Sequence, residues 1–180
     1  MKHVLRIGFV AAALFFAGST VNAQQKFGHI NSGELLQSMP EMKTADANFQ
    51  TFAKAKQTTL ELMDAERQKM VTSYEEKYKT LSEANRAVVE KELMELGTSI
   101  QDLERRITES QGKAQEELNE KRAELYQPVF KKAEDAVKAV AKEKGYTYVF
   151  DTSQPGIVYF EPTDDLLAAV KSKLGIPAGK

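Results

Sequence analysis

The 180-residue chain has no cysteine and only two histidines. Without disulfides, its stability has to come from helix packing or from association of subunits. His3 lies at the extreme N-terminus, which leaves His29 alone and takes away the donors a zinc site needs. The patterns G-x-x-x-x-G-K-[ST], G-x-G-x-x-G and G-x-S-x-G are also missing, so there is no phosphate loop, dinucleotide fingerprint or nucleophile elbow. Nor is there a basic excess: 25 Lys and Arg face 26 Asp and Glu, whereas counterion release from nucleic acid needs a basic surface. The sequence therefore implies no cofactor, no metal and no nucleic-acid partner, and it argues against an enzyme.

Long hydrophobic runs are equally scarce. The apolar stretch from Ile7 to Ala17 is about half of the ~20 residues that cross a bilayer. It follows a positive start (Met1, Lys2, Arg6) and precedes the small-residue site Val21-Asn22-Ala23, the layout of a cleavable secretory signal. Residues 1–23 are read as removed on export. The exported chain is then 180 minus 23, or 157 residues, and loss of Lys2 and Arg6 takes its net charge from -1 to -3. No cysteine follows the site, so a lipid anchor and stable membrane insertion are not expected.

What the chain does have is a long run, Glu41 to Lys144, in which charged residues interleave with an apolar seam. In the second half the seam reads Val89, Leu93, Leu96, Ile100, Leu103, Ile107, Ser110, Ala114, with alternating steps of four and three. That is a heptad repeat. A looser version precedes it: Leu60, Met63, Arg67, Met70, Tyr74, Tyr78, Leu81. The segment Leu81 to Asn85 predicts the turn between them, with Ser82 and Asn85 able to cap a helix start. Forty residues at 1.5 Å each make an arm of about 60 Å, too long to bury in a core of this size, so it must project or lie along another arm. Gly97, Gly112 and Pro128 are hinge candidates. Pro128 predicts a kink or break at Tyr126 to Pro128, because an interior proline costs about 3 kcal/mol if nothing adapts.

The flanks read as a small sheet-bearing body. Lys26 to Asn31 predicts a strand with Phe27 and His29 on one face and Gly28 and Ile30 on the other. Asn31 and Glu34 have capping-box spacing at the start of a helix from Ser32 to Met39, interrupted by Pro40. Gly145 ends the long helix. Tyr146 to Asp151 reads as a strand and Ile157 to Phe160 as its hairpin partner, followed by a helix over Leu166 to Leu174. His29 reads as a strand filler, and Asp151, Asp164 and Asp165 as strand-end and helix-start residues. The predicted fold is mostly α with a small β part: a long antiparallel helical hairpin on a body of at most three strands. So small a body under such an arm argues for oligomerisation.

Met39, Met42, Met63, Met70 and Met94, with Phe49, Phe52, Tyr74 and Tyr78, exceed what a two-helix seam can cover. Flexible thioethers and partly exposed aromatics suit weak contacts with varied apolar segments. Ordinary seam and arm-to-arm packing is the alternative.

The order of elements, with Gly28-His29-Ile30-Asn31-Ser32, Met39-Pro40-Glu41, Gln127-Pro128-Val129 and the ending Ala141 to Asp151, resembles the OmpH-like, or Skp, periplasmic chaperones over essentially the whole exported chain. The resemblance implies a homotrimer whose strands join in a small β-barrel, with three hairpins projecting around a cavity that holds unfolded outer-membrane proteins without ATP. It places the protein in the periplasm, with at most transient membrane contact. The body (24–40 and 145–180) would then trimerise through Phe27, Ile30, Tyr148, Phe150, Val158 and Phe160. The resemblance assigns no client-binding residues on the arm (41–144, tip near 81–85); the candidates there are the surplus apolar side chains Phe49, Phe52, Met63, Met70, Tyr74, Tyr78 and Met94. One departure stands out. The best-known members are strongly basic, whereas Leu60 to Glu109 here carries 8 basic against 12 acidic residues, a net of -4. A coiled-coil envelope scaffold or adaptor that binds a folded partner is the competing expectation.

Overall fold

A computed structural model describes residues 25–177. The secretory signal read at 1–23 lies outside the described residues. The elements are β1 (Phe27–Ile30), α1 (Ser32–Ser38), α2 (Pro40–Lys79), α3 (Arg86–Lys144), β2 (Tyr148–Asp151), a 3-10 turn (Pro162–Asp164) and α4 (Leu167–Lys173). The fold is mostly helical with one small sheet.

Pro40 sits in the first turn of α2, where a missing N–H leaves no helical bond unmade. At 40 and 59 residues, α2 and α3 are about 60 and 90 Å long. They pack antiparallel over most of α2, and cross-links mark the register. Glu41 pairs with Lys132 and Asp46 with Tyr126 (2.7 Å). Further out come Lys56 with Glu117, Arg67 with Glu104 (4.0 Å) and Lys77 with Glu92 (2.5 Å). Each advance along α2 meets a comparable return along α3. The heptad positions Val89, Leu93, Leu103, Ile107 and Ala114 are buried, as the spacing predicts.

At the tip, Asn85 precedes α3 but does not cap it. Its Oδ1 accepts from the Ser82 amide (2.8 Å), and its Nδ2 donates to the Thr80 carbonyl (2.8 Å). The side chain that could cap the helix closes the loop instead, and Ser82 contributes its backbone N–H rather than its hydroxyl.

Near the body the buried face of α3 becomes Val129, Ala133, Ala136 and Val140. It packs with Ile30, Leu35, Met39, Ala45, Leu166 and Val170 into one core, so the last turns of the long helix belong to the body as packed. The small side chains let α1 and α4 come close. Gly145 ends α3 in the left-handed conformation (φ 70°), and the Tyr146 amide bonds back to the Ala141 carbonyl (2.9 Å).

Three sequence expectations need correction. Helix α3 passes through Pro128 without a break. Val129 and Ala133, the residues just beyond it, are buried in the core and hold the helix across the lost hydrogen bond. Ile157 to Phe160 forms no strand, and the sheet is not a hairpin. It has two strands, β1 and β2, paired in parallel with Phe27 opposite Tyr148 and Ile30 opposite Asp151. Phe160 instead lies with its ring tilted against that of His29, and His29 makes a single bridge to Asp165. The capping box forms only by half. Asn31 accepts from the Glu34 amide (3.0 Å), but the Glu34 carboxylate reaches Lys171 on α4 (2.8 Å).

A carboxylate ties β2 to α1. Asp151 Oδ2 accepts from Ser32 Oγ (2.6 Å), and its Oδ1 accepts from the amides of Ser32 (3.1 Å) and Ser153 (2.9 Å). Burial pushes the Asp151 carboxyl up, but these donors outweigh it and hold it at about 2, below the usual 3.8. A depressed folded-state pKa contributes stability above pH 3.8 that is lost as pH falls through about 2. With its partial exposure discounted, Asp151→Asn should destabilise by about 1 kcal/mol at neutral pH. Urea denaturation at pH 7 and at pH 2.5 checks this, because the gap between the native protein and the variant should narrow in acid.

Candidate functional site

No helix among the described residues is long and apolar enough to cross a membrane. Nor do the described residues group His, Asp and Glu as metal ligands. His29 is buried, with Nε2 3.0 Å from the Glu161 carbonyl and its ring 4.1 Å from Phe160, so it fills a strand position. Asp164 accepts from the Tyr146 hydroxyl (3.1 Å), and Asp165 Oδ1 accepts from the Leu167 amide (2.8 Å) at the start of α4. The polar side chains that invite a catalytic reading are thus all occupied in holding the body together.

Large apolar side chains are exposed chiefly in two places among the described residues. One lies on the body. The parallel register puts Phe27, Tyr148 and Phe150 on one face of the sheet. Phe27 stacks on Tyr148 at 5.7 Å and on Phe150 at 6.2 Å, yet all three rings stay roughly half exposed. Beside them runs Ile157–Phe160, with Val158 100% and Tyr159 75% exposed. Phe160 is also exposed. Of the assembly candidates, Ile30 alone points the other way: it is 3% exposed and belongs to the core. Tyr159 is the residue sequence reading missed. It follows Val158 in the same aromatic run.

The other place is the arm. Tyr78 (60%) and Met94 (70%) stand well clear of the seam. Phe49, Phe52, Met63, Met70 and Tyr74 are only part covered by the facing helix. Phe49 meets Tyr126 edge-on (6.0 Å), the Arg122 guanidinium lies over the Phe49 ring 5.0 Å from its centre, and the Lys56 ammonium lies 5.1 Å from the centre of the Phe52 ring. The Tyr126 hydroxyl donates to Asp46, and that bond, helped by burial, raises its pKa. Leu62 and Val88 are two further exposed apolar residues of the arm. They escape a search built on the seam because they lie off it. Gly97 is half covered beside Tyr74, Gly112 is open and Pro128 is exposed near the root.

This architecture, a projecting hairpin on a small sheet-bearing body, has known counterparts. The family model described as "Outer membrane protein (OmpH-like)" matches residues 26–174. The chain belongs to the OmpH-like family. Chaperone protein Skp of Vibrio cholerae is 27% identical over 170 residues, which cover 92% of this chain and 95% of that protein. Chaperone protein Skp of Yersinia enterocolitica is 25% identical over 171 residues, 94% and 97% of the two chains. The crystal structure of an OmpH-like protein from Caulobacter crescentus has the same fold, with a TM-score of 0.68 over 87% of this chain and 88% of that one at 15% identity. The OmpH-like match ends at Leu174, so it spans the body at both ends of the chain as well as the arm between.

Proposed function

We propose that this protein is an ATP-independent holdase chaperone of the periplasm, not an enzyme, that assembles as a homotrimer and keeps unfolded outer-membrane proteins from aggregating between its arms. The observation that carries this reading is the arm itself. It is about 60 Å of paired helix in which α2 buries only Ala45, so most of its apolar side chains stay available to something other than its own core. Contacts of that kind are many, weak and reversible, which suits an unfolded client and needs no nucleotide. Membership of the OmpH-like family and the Skp relatives support the same reading. Light scattering of a β-barrel outer-membrane protein diluted from denaturant tests it. The purified protein should suppress the signal without ATP. A scaffold for a folded partner would leave the signal unchanged, and that result would overturn the proposal.

The acidic arm predicts how clients are gripped. With a net of -4 between Leu60 and Glu109, attraction to acidic segments is unavailable, so the grip is apolar and little screened by salt. Client affinity should change by less than about threefold between low and high salt. Fluorescence anisotropy of a labelled client checks this, and a steep loss with salt would contradict it. Met94→Ser with Tyr78→Ser should weaken client binding about tenfold with no effect on the fold, because both side chains are already largely exposed.

A further inference from the structure

Of the six methionines, Met1 falls in the segment read as a secretory signal, and the other five differ widely in cover. Met39 is 0% exposed and sits in the core of the body. Met42, Met63 and Met70 are part covered. Met94, on α3, is 70% exposed. The Lys77–Glu92 pair fixes the register of the helices there, and it sets Met94 and Tyr78 within about one turn (~5 Å) of each other along the arm. Two well-exposed apolar side chains thus share one level of the outer arm. The chain has no cysteine, so the thioether is its only sulfur group, the one a two-electron oxidant takes to the sulfoxide. Access from solvent ranks the five methionines, with Met94 first and Met39 last.

We propose that Met94 is a modification site, where reversible oxidation to the sulfoxide loosens the hold of the arm on unfolded clients. This rests on the proposed holdase function and adds regulation to the same surface. The oxidant is of the hydroperoxide or hypohalous acid class. With hydrogen peroxide, the Met94 sulfur attacks one peroxide oxygen. An S–O bond forms as the O–O bond breaks, the sulfur gives up two electrons, and the other oxygen leaves as water. A dithiol-dependent sulfoxide reductase reverses the step: the oxygen departs as water while the two thiols close to a disulfide. The sulfoxide is polar and chiral where the thioether is apolar and pliable, so it no longer suits varied apolar segments. Position decides what the change does. At Met39 the new oxygen would enter the core without a partner and damage the fold. At Met94, which stands mostly in solvent, the fold has little to lose and the change falls on binding.

Peptide mass mapping after graded hydrogen peroxide should show Met94 converted about fivefold faster than Met63 or Met70, with Met39 last. Fluorescence anisotropy of a labelled, unfolded β-barrel outer-membrane protein should then report about fivefold weaker binding once Met94 is converted, with helix content by circular dichroism unchanged. Sulfoxide reductases for both epimers, supplied with dithiothreitol, should restore the untreated affinity. Met94→Leu, compared with its own untreated sample, should keep its affinity through the same treatment, whereas Met70→Leu should lose about fivefold as the native protein does. No binding by the untreated protein would overturn the holdase function and the switch with it. Binding that survives full conversion of Met94, equal oxidation of Met63 and Met94, or an equal loss in Met94→Leu would overturn the switch alone.

Discussion

Phe150→Glu is expected to turn the assembled protein into monomers. Phe150 lies on the open face of the sheet, stacked on Phe27 and level with His29 on the partner strand. Two strands are too few to stand alone, and the rings of Phe27, Tyr148 and Phe150 are left about half uncovered beside an unpaired extended segment. A contiguous apolar patch of this kind marks an association surface. A carboxylate buried there without a partner costs about 4 kcal/mol or more, roughly a thousandfold in association. Sedimentation should show the drop in mass while circular dichroism keeps the native helix content, since the side chain is half exposed within one subunit. Val158→Asp should act in the same direction, because Val158 touches nothing in its own chain that would need it. An unchanged mass in both variants would remove the body surface from the assembly.

The second large effect is expected at Gly28. A Cβ there would stand 2.6 Å from Leu166 Cδ1 and 2.9 Å from Tyr146 Cδ1. Leu166 is 0% exposed and its amide donates to the His29 carbonyl (2.9 Å), so it has no room to withdraw. Gly28→Val should therefore destabilise by about 3 kcal/mol through overpacking. Leu166→Ala alone should cost about 3 kcal/mol by leaving a cavity. The two changes share one space, so Gly28→Ala combined with Leu166→Ala should cost less than the sum of the single variants. Urea denaturation of the three variants measures this directly. A strictly additive result would mean that the contact does not govern the site.

Much of the molecule was legible in the sequence because the arm is built from local rules. A step of three and four puts Val89, Leu93, Leu103 and Ile107 on one side of α3 wherever the body lies, and Gly145 can end that helix without reference to anything distant. The body was harder, for reasons of range. Pairing Phe27 with Tyr148 in parallel joins two short segments separated by the entire hairpin, and nothing local in Ile157–Phe160 distinguishes a hairpin partner from an extended segment with an exposed face. Pro128 misled in the opposite sense: propensity favours a break, and burial of Val129 and Ala133 prevails over it. Ile30 shows the limit at single-residue level. Strand alternation separates two faces but does not say which face meets the core.

For function, the sequence excluded more than it placed. The lack of nucleotide, nucleophile and metal motifs is a property of the whole chain, and His29, Asp164 and Asp165 prove to be occupied within the body. On the arm, the seam is the strong signal and the exposed residues are the weak one. Tyr78 and Met94 were visible as surplus apolar groups, while Leu62 and Val88 sit off the repeat and become evident only once the helices are paired.

The most direct test of the account is native mass spectrometry of the complex formed when an unfolded β-barrel outer-membrane protein is diluted into the purified protein without ATP. The expected species contains three chains of this protein and one client. A client bound to a single chain, or a complex formed only with the folded barrel, would contradict the account.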